Sequence, residues 1–242
     1  MALFDAVLEL ADDHLVLGHR LSEWCGHAPM LEEDLAMPNM ALDLIGTART
    51  LYDHAGRLEG AGRDEDALAY TRGEREYRNL LLVERPNGDF AHTMLRQLYF
   101  AAFMEPYWQA ALSSSDSVIA GVAGKAVKEM AYHIRHAGEW VIRLGDGTEE
   151  SARRMQAAVD ALHPYAEELF EAGAETGVLP SREAVRPAWE ASIARIFDEA
   201  GLRAPSVAYP QTGGRQGLHG EALGPMLAEM QALHRAHPGA TW

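Results

Sequence analysis

The stretch SVIAGVAGKAVKEMAYHIRHAGEWVIRL, at residues 117–144, decides the fold. At about 100° per residue around a helix, its apolar side chains fall on a single stripe. That stripe consists of Ile119, Ala123, Ala126, Met130, Ile134, Ala137 and Val141. The sequence therefore predicts a long helix that buries one face against other helices.

The rest of the chain shows the same helical periodicity, with no alternating strand pattern. We expect further helices over 3–25, 31–59, 73–84, 90–113, 149–176, 181–200 and 221–236. Polar or glycine-containing connections separate them, of which 60–72 and 201–220 are the longest. Because no linker or repeat interrupts this pattern, we predict one all-α domain over 1–242. It is a bundle of four long helices with shorter helices added.

The composition limits the classes of function. With 21 Lys and Arg against 36 Asp and Glu, the net charge is −15, which does not suit a nucleic-acid or membrane-surface partner. No stretch approaches the roughly 18–20 apolar residues that cross a bilayer, and the acidic start predicts no signal peptide. The single cysteine, Cys25, excludes a disulfide framework or a Cys-based metal cluster. We therefore expect a cytoplasmic protein.

A large helical bundle raises the question of a carboxylate-bridged di-iron site. Such sites take a Glu from each of two helices and a Glu-x-x-His pair from each of two others. None of the eleven histidines has Glu three residues before it. Two Asp-x-x-His pairs exist, Asp89/His92 and Asp160/His163, and we expect both to lie at helix ends rather than at a metal site.

Glu129, His133 and His136 form the strongest remaining group of polar side chains. Their spacing puts them on one side of the 117–144 helix, roughly 60–120° from the centre of the apolar stripe. Imidazole and carboxylate groups suit divalent iron or zinc and also serve in general base catalysis. The alternative is a hydrogen-bond network at the boundary of the core, and the sequence leaves both open.

Asp43 lies in an apolar part of the second helix, within Met-Ala-Leu-Asp-Leu-Ile. An unpaired carboxylate there would cost several kcal/mol, so we expect a partner, either an arginine or one of the histidines above. Gly46 lies three residues after Asp43, where the Glu-x-x-His pair of a di-iron protein would have its histidine. Arg20 and Glu23 are further candidates for the same polar layer.

Several long segments resemble the PaaC-type structural subunits of phenylacetyl-CoA monooxygenase, also called phenylacetyl-CoA 1,2-epoxidase. These segments lie at 20–49, 74–90, 128–136, 143–148 and 212–231. The fourth reads RLGDGT and the last reads TGGRQGLHGEALGPMLAEMQ. The resemblance covers nearly the whole chain and implies a ferritin-like fold.

The resemblance implies a non-catalytic subunit of an oxygenase that converts phenylacetyl-CoA to its ring 1,2-epoxide with O₂ and NADPH. A homologous catalytic subunit is then expected to carry the di-iron centre. A reductase with FAD and a [2Fe–2S] cluster, and a small bridging subunit, would complete the complex. This chain would have no catalytic residue, metal or cofactor of its own and could form a homodimer when alone.

In this interpretation Asp43, Glu129, His133 and His136 are the remnant of a lost ligand layer. The alternative is a metal-binding oxygenase in its own right that uses Glu129, His133 and His136. The 90–113 helix and the N-terminal helix pair are the expected partner surface. The roles of Lys125 and Lys128, the only lysines in the chain, stay open.

Overall fold

Two pairs of long helices form the frame of the protein in a computed structural model that describes residues 2–173 and 175–240. The first pair packs α1 against α2, and the second packs α5 against α6. In chain order the helices are α1 Ala2–Ser22, α2 Leu31–Glu59, α3 Glu65–Tyr70, α4 Leu81–Glu84, α5 Phe90–Ala111, α6 Ser117–Gly145, α7 Glu149–Leu162, α8 Arg186–Ala200, α9 Leu223–Met230 and α10 Ala232–Ala236. The described residues contain no strand, and the predicted all-α fold is confirmed.

The close approach of α1 and α2 depends on a glycine. A Cβ atom at Gly18 would lie 2.8 Å from Cγ1 of Ile45, closer than two carbon atoms can pack. The same closeness lets the two helices bury nearly every apolar side chain that faces between them. The α1–α2 pair is therefore a rigid platform for the side chains that α2 directs towards α6.

The aromatic helix α5 lies in the centre of the molecule. Its side chains Phe100, Phe103, Tyr107 and Trp108 are all buried. The indole Nε1 of Trp189 on α8 donates to the carbonyl of Tyr99, 3.0 Å away, which fixes α8 against it. The expectation that the 90–113 helix forms a partner surface was wrong, because its aromatic residues fill the core of this chain.

The segment 73–84 was expected to be a helix and is not one. It contains only a 3₁₀ turn at Glu74–Glu76 and the single helical turn α4. Buried carboxylates take its amide hydrogens instead: Arg78 N donates to Asp12 at 2.8 Å and Leu80 N to Asp13 at 2.7 Å. Because these amides are satisfied from outside the segment, no continuous helix is needed.

Helix ends follow the capping residues more closely than the periodicity. Asp89 caps α5, and α7 stops at Leu162 instead of continuing to 176, since Pro164 follows and cannot supply a backbone N–H. Asp64 caps α3, a helix inside the expected 60–72 connection. The expected 221–236 helix breaks near Gln231 into α9 and α10.

Among the described residues, no helix is both long and apolar enough to cross a membrane.

Candidate functional site

The polar side chains singled out from the sequence lie along the contact between α2 and α6, with His133 at the centre. His133 is fully buried, and its Nε2–H donates to Oδ2 of Asp43 at 3.2 Å. On the other side of the ring, Nδ1 accepts from the amide Nε2 of Gln97 on α5, 2.9 Å away. The expected partner of Asp43 is thus a histidine, and both nitrogens of that ring are already used.

Asp43 itself reaches the surface of this contact. The hydrogen bond from His133 lowers the pKa of the Asp43 carboxyl, although partial burial acts in the opposite direction. About a third of its side chain (34%) is exposed. Asp43 therefore remains ionised near neutral pH and stabilises the orientation of the imidazole.

Glu129 and Lys125 form an ion pair one turn from this histidine. The Lys125 Nζ lies 2.9 Å from Oε1 of Glu129, with the lysine mostly exposed and the glutamate largely covered. Burial raises the pKa of Glu129, and the nearby charge of Asp43 raises it further, while Lys125 acts against both. Lys125 is therefore the cation that balances two neighbouring carboxylates, whereas Lys128 is exposed.

His136 does not join the same cluster. Its Nε2 lies 2.9 Å from Oε2 of Glu33 on α2, and both side chains are largely buried. The ring of Tyr132 stacks on it with 6.0 Å between centroids. Thus Glu129, His133 and His136 share one side of α6, as expected, but each pairs with a different residue and the three do not converge on one point.

The centre of the bundle does not fit the ligand set of a di-iron site. Gly46 stands three residues after Asp43, where a Glu-x-x-His pair would have its histidine, and the buried Met130 stands three residues before His133, where such a pair would have its glutamate. The facing position of α5 is Gln97 rather than glutamate. Residues 2–173 and 175–240 include no group of three or more His, Cys, Asp or Glu arranged to hold a metal. A di-iron site needs four carboxylates and two histidines, more than the described residues bring together here.

A second buried histidine, His14 on α1, lies near this layer and was not singled out from the sequence. Its Nδ1–H donates to the carbonyl of Leu10 at 2.7 Å, and its ring meets the edge of Phe100 with 5.2 Å between centroids. Burial lowers the pKa of His14 to about 4. His14 is therefore a neutral core residue.

Two adjacent carboxylates on α1 hold the outer segments of the chain. Asp12 and Asp13 are fully buried, and each pairs with an arginine from a distant segment. Arg72 binds Asp12, which also accepts from the Tyr52 hydroxyl at 2.5 Å. Arg215 binds Asp13, with Nη2 and Oδ2 2.7 Å apart. These ion pairs attach the segments around residues 72 and 215 to the bundle.

Arg20 and Glu23 belong to the attachment of these segments rather than to the Asp43 layer. Arg20 Nη2 donates to the carbonyls of Glu84 at 2.9 Å and Ala222 at 3.0 Å, and Nη1 pairs with Glu23 at 2.7 Å. The expectation that they share the polar layer of Asp43 was therefore wrong, because the end of α1 faces α4 and the start of α9.

The loop that precedes α9 is fixed by a buried carboxylate. Oε1 of Glu168 accepts from the amides of Gly213 at 2.9 Å and Gly214 at 2.7 Å. Nδ1 of His219 lies 2.8 Å from Oε2 of Glu84. These contacts give the polar residues of the loop a structural role.

Both Asp-x-x-His pairs are structural, as expected. Asp89 caps α5, and its Oδ1 lies 2.8 Å from Nδ1 of His92. Asp160 and His163 face different partners: the carboxylate accepts from Gln156, and the imidazole contacts the Tyr99 hydroxyl at 2.9 Å.

Sequence reasoning missed Gln97 and Glu33, which complete the layer. Gln97 lies in an aromatic helix that is buried all around, and a polar residue in such a helix signals a buried partner. Glu33 lies in the acidic first turn of α2, a position that ordinarily indicates exposure.

Comparison with known proteins extends these observations to the whole chain. Residues 1–242 match the family model described as phenylacetic acid catabolic protein. One of the subunits of the 1,2-phenylacetyl-CoA epoxidase of Escherichia coli (strain K12), designated C, is 46% identical to this chain over 241 residues. That alignment covers 97% of each chain.

Proposed function

Because the chain belongs to the family of phenylacetic acid catabolic proteins, we propose that it is a non-catalytic, structural subunit of a phenylacetyl-CoA epoxidase. The Escherichia coli relative, which aligns with nearly the whole chain, is named as one subunit of such an enzyme. The complex would use O₂ and NADPH in the cytoplasm to form a ring 1,2-epoxide from phenylacetyl-CoA.

The observation that carries the structural role is the composition of the bundle centre. Gly46 and Met130 each replace one residue of a Glu-x-x-His ligand pair, and Asp43 is already bound by His133. Gln97 holds the other nitrogen of that imidazole. Hydrogen bonds thus join α2, α5 and α6 at the level where a metal would join them in a di-iron protein.

A subunit of this kind needs a catalytic partner. We infer that the di-iron centre and the substrate pocket lie in a homologous ferritin-like subunit. A reductase with FAD and a [2Fe–2S] cluster would pass electrons from NADPH, and a small bridging subunit would help the components assemble. This chain would supply a broad helical surface that stabilises the catalytic subunit.

Reconstitution of the complex with and without this chain tests the proposal. Omission of the chain should abolish epoxidation of phenylacetyl-CoA, whereas complexes with the His133→Gln variant should keep kcat within about twofold of the wild type. Loss of a metal ligand would instead lower kcat by at least about a hundredfold. Such a loss in a variant that still assembles would contradict the structural role.

A further inference from the structure

His219 and Glu84 form a buried pair between the loop before α9 and the short helix α4. The two side chains are 0% and 1% exposed, and Nδ1 of His219 lies 2.8 Å from Oε2 of Glu84. The other ring nitrogen, Nε2, lies 3.0 Å from the carbonyl oxygen of Tyr77. The imidazole therefore has an acceptor beside each of its two nitrogens.

These two contacts determine how many protons the ring carries. A carbonyl oxygen can only accept a hydrogen bond, so Nε2 must carry a hydrogen. The oxygens of Glu84 also accept from the side-chain amide of Asn79 at 2.9 Å and from the backbone N–H of Gly220 at 2.6 Å, as a carboxylate does. Because neutral imidazole has only one N–H, both contacts of His219 form together only when the ring is a cation.

The pair holds one end of the loop over 212–222. At the start of that loop, Glu168 accepts from backbone amides, and in its middle Arg215 binds the buried Asp13. The guanidinium of Arg215 keeps its charge at every pH at which the protein is folded. The end that leads into α9 depends instead on His219, whose ordinary pKa lies near neutral pH.

The charges around the pair favour the protonated ring. Burial lowers the pKa of His219, but the hydrogen bond to Glu84 and the charge of that carboxylate outweigh burial, so the pKa is raised. The carboxylate of Glu74, which borders α9, acts in the same upward direction. Three cations act against the charge on the ring without reversing the net shift: Arg20, which donates to the Glu84 carbonyl, Arg78, beside Gly217, and Arg85, beside Gly220.

We infer that His219 and Glu84 form a pH-sensitive latch, in which the protonated ring holds residues 217–222 against α4 and loss of its proton releases them. Deprotonation leaves a lone pair of the ring facing either the Tyr77 carbonyl or the Glu84 carboxylate, so one of the two contacts is lost. The stability that the latch contributes is fully present below pH 6.5, the ordinary pKa of histidine, and is lost as pH rises through the raised value.

Release of the latch should open the loop end locally rather than unfold the chain. The first turns of α9 stay anchored by Leu223 and Leu227, which are buried in the core. The ion pair of Arg215 with Asp13 does not titrate with His219. The backbone N–H of Gly220, which donates to Glu84, is therefore the group whose protection from solvent should change most.

Nuclear magnetic resonance of the full chain tests the latch at both groups. In the wild type, the ring of His219 should titrate above pH 6.5. The protection factor of the Gly220 amide, which divides out the intrinsic pH dependence of hydrogen exchange, should fall at least about fivefold between pH 6 and pH 9. In His219→Gln, which cannot titrate, this fall should shrink to less than about twofold. The matched control His92→Gln, which removes the histidine paired with Asp89 on α5, should keep the wild-type fall.

Two results would overturn the latch. A wild-type His219 ring that titrates below pH 6.5 would show that the ring is neutral in the native state, and this measurement needs no variant. The second concerns Glu168, whose pKa burial raises to about 7 and which binds the amides of Gly213 and Gly214. An undiminished fall at Gly220 in His219→Gln, shared by the amides of Gly213 and Gly214, would assign the pH dependence to Glu168.

Discussion

Replacing Arg215 with methionine should destabilise the protein strongly. Its guanidinium donates to both oxygens of Asp13, at 3.0 and 2.7 Å, and the two side chains are 5% and 0% exposed. Removal of one partner of a buried ion pair leaves an uncompensated charge and costs about 3–5 kcal/mol. Arg215→Met keeps the apolar stem of the side chain and removes the guanidinium, so the loss of the ion pair dominates.

Urea unfolding measures this cost. With a slope of about 3 kcal/mol per molar for a chain of this size, the midpoint of Arg215→Met should fall by about 1–2 M. The double variant Asp13→Asn with Arg215→Met should recover at least about half of the loss, because the buried charge is removed from both sides.

The effect should also depend on pH. Burial raises the pKa of Asp13 even with Arg215 present, and the variant loses the cation that opposes this rise. The native variant then holds a proton that the unfolded chain releases, so its stability relative to the wild type falls as pH increases. The difference between the urea midpoints of the wild type and Arg215→Met should be larger at pH 8 than at pH 5. These two pH values lie about four and about one unit above the ordinary pKa of Asp.

A matched substitution shows whether burial is the cause. Arg153 pairs with Glu150 on the exposed side of α7, so Arg153→Met should leave the midpoint unchanged within error. Equal midpoints for Arg215→Met and Arg153→Met would refute the reasoning, as would a double variant no more stable than Arg215→Met.

Four further substitutions test other parts of the structure. The pKa of His14 is lowered to about 4 in the native state, so up to about 3 kcal/mol of the free energy of unfolding should be lost as pH drops from 6.5 through 4. In urea titrations, the His14→Gln variant should not show this pH-dependent loss. Burial raises the pKa of Glu168 to about 7, so the stability that the protonated side chain contributes is present below pH 4.5 and is lost as pH rises through 7. The free energy of unfolding of the Glu168→Gln variant should fall less over this pH range. A Cβ at Gly214 would lie 2.1 Å from the carbonyl oxygen of Asn79, so Gly214→Ala should lower the free energy of unfolding by more than about 2 kcal/mol. Gly121 lies in open space on α6, so Gly121→Ala should instead raise it by about 0.5–1 kcal/mol. Equal melting temperatures for the two alanine variants, or parallel pH curves for either titration pair, would contradict these assignments.

The long helices were predictable because their apolar residues recur at helical spacing over many turns. The stripe of α6 shows this: Ile119, Ala126 and Val141 are all fully buried. The 73–84 segment was not predictable in this way, since its backbone amides bond to Asp12 and Asp13, carboxylates more than sixty residues earlier in the chain. Local periodicity carries no information about such distant partners.

The candidate site was predictable to a similar degree. That Asp43 needs a partner follows from its apolar surroundings, and one of the expected histidines, His133, supplies it. That His136 turns to Glu33 depends on how α2 and α6 pack, which single-helix spacing does not determine. For the same reason the aromatic residues of α5 gave the wrong interface: composition alone does not distinguish a buried aromatic face from one that a partner covers.

Iron content is the most direct test of the claim that a hydrogen-bonded layer stands where a metal centre would lie. The full-length chain should be purified with and without ferrous iron and measured by elemental analysis beside the catalytic subunit. We predict less than about 0.1 iron per chain after desalting, against about two in the catalytic subunit. Stoichiometric iron in this chain, lost in the His133→Gln or Glu129→Gln variant, would contradict the account.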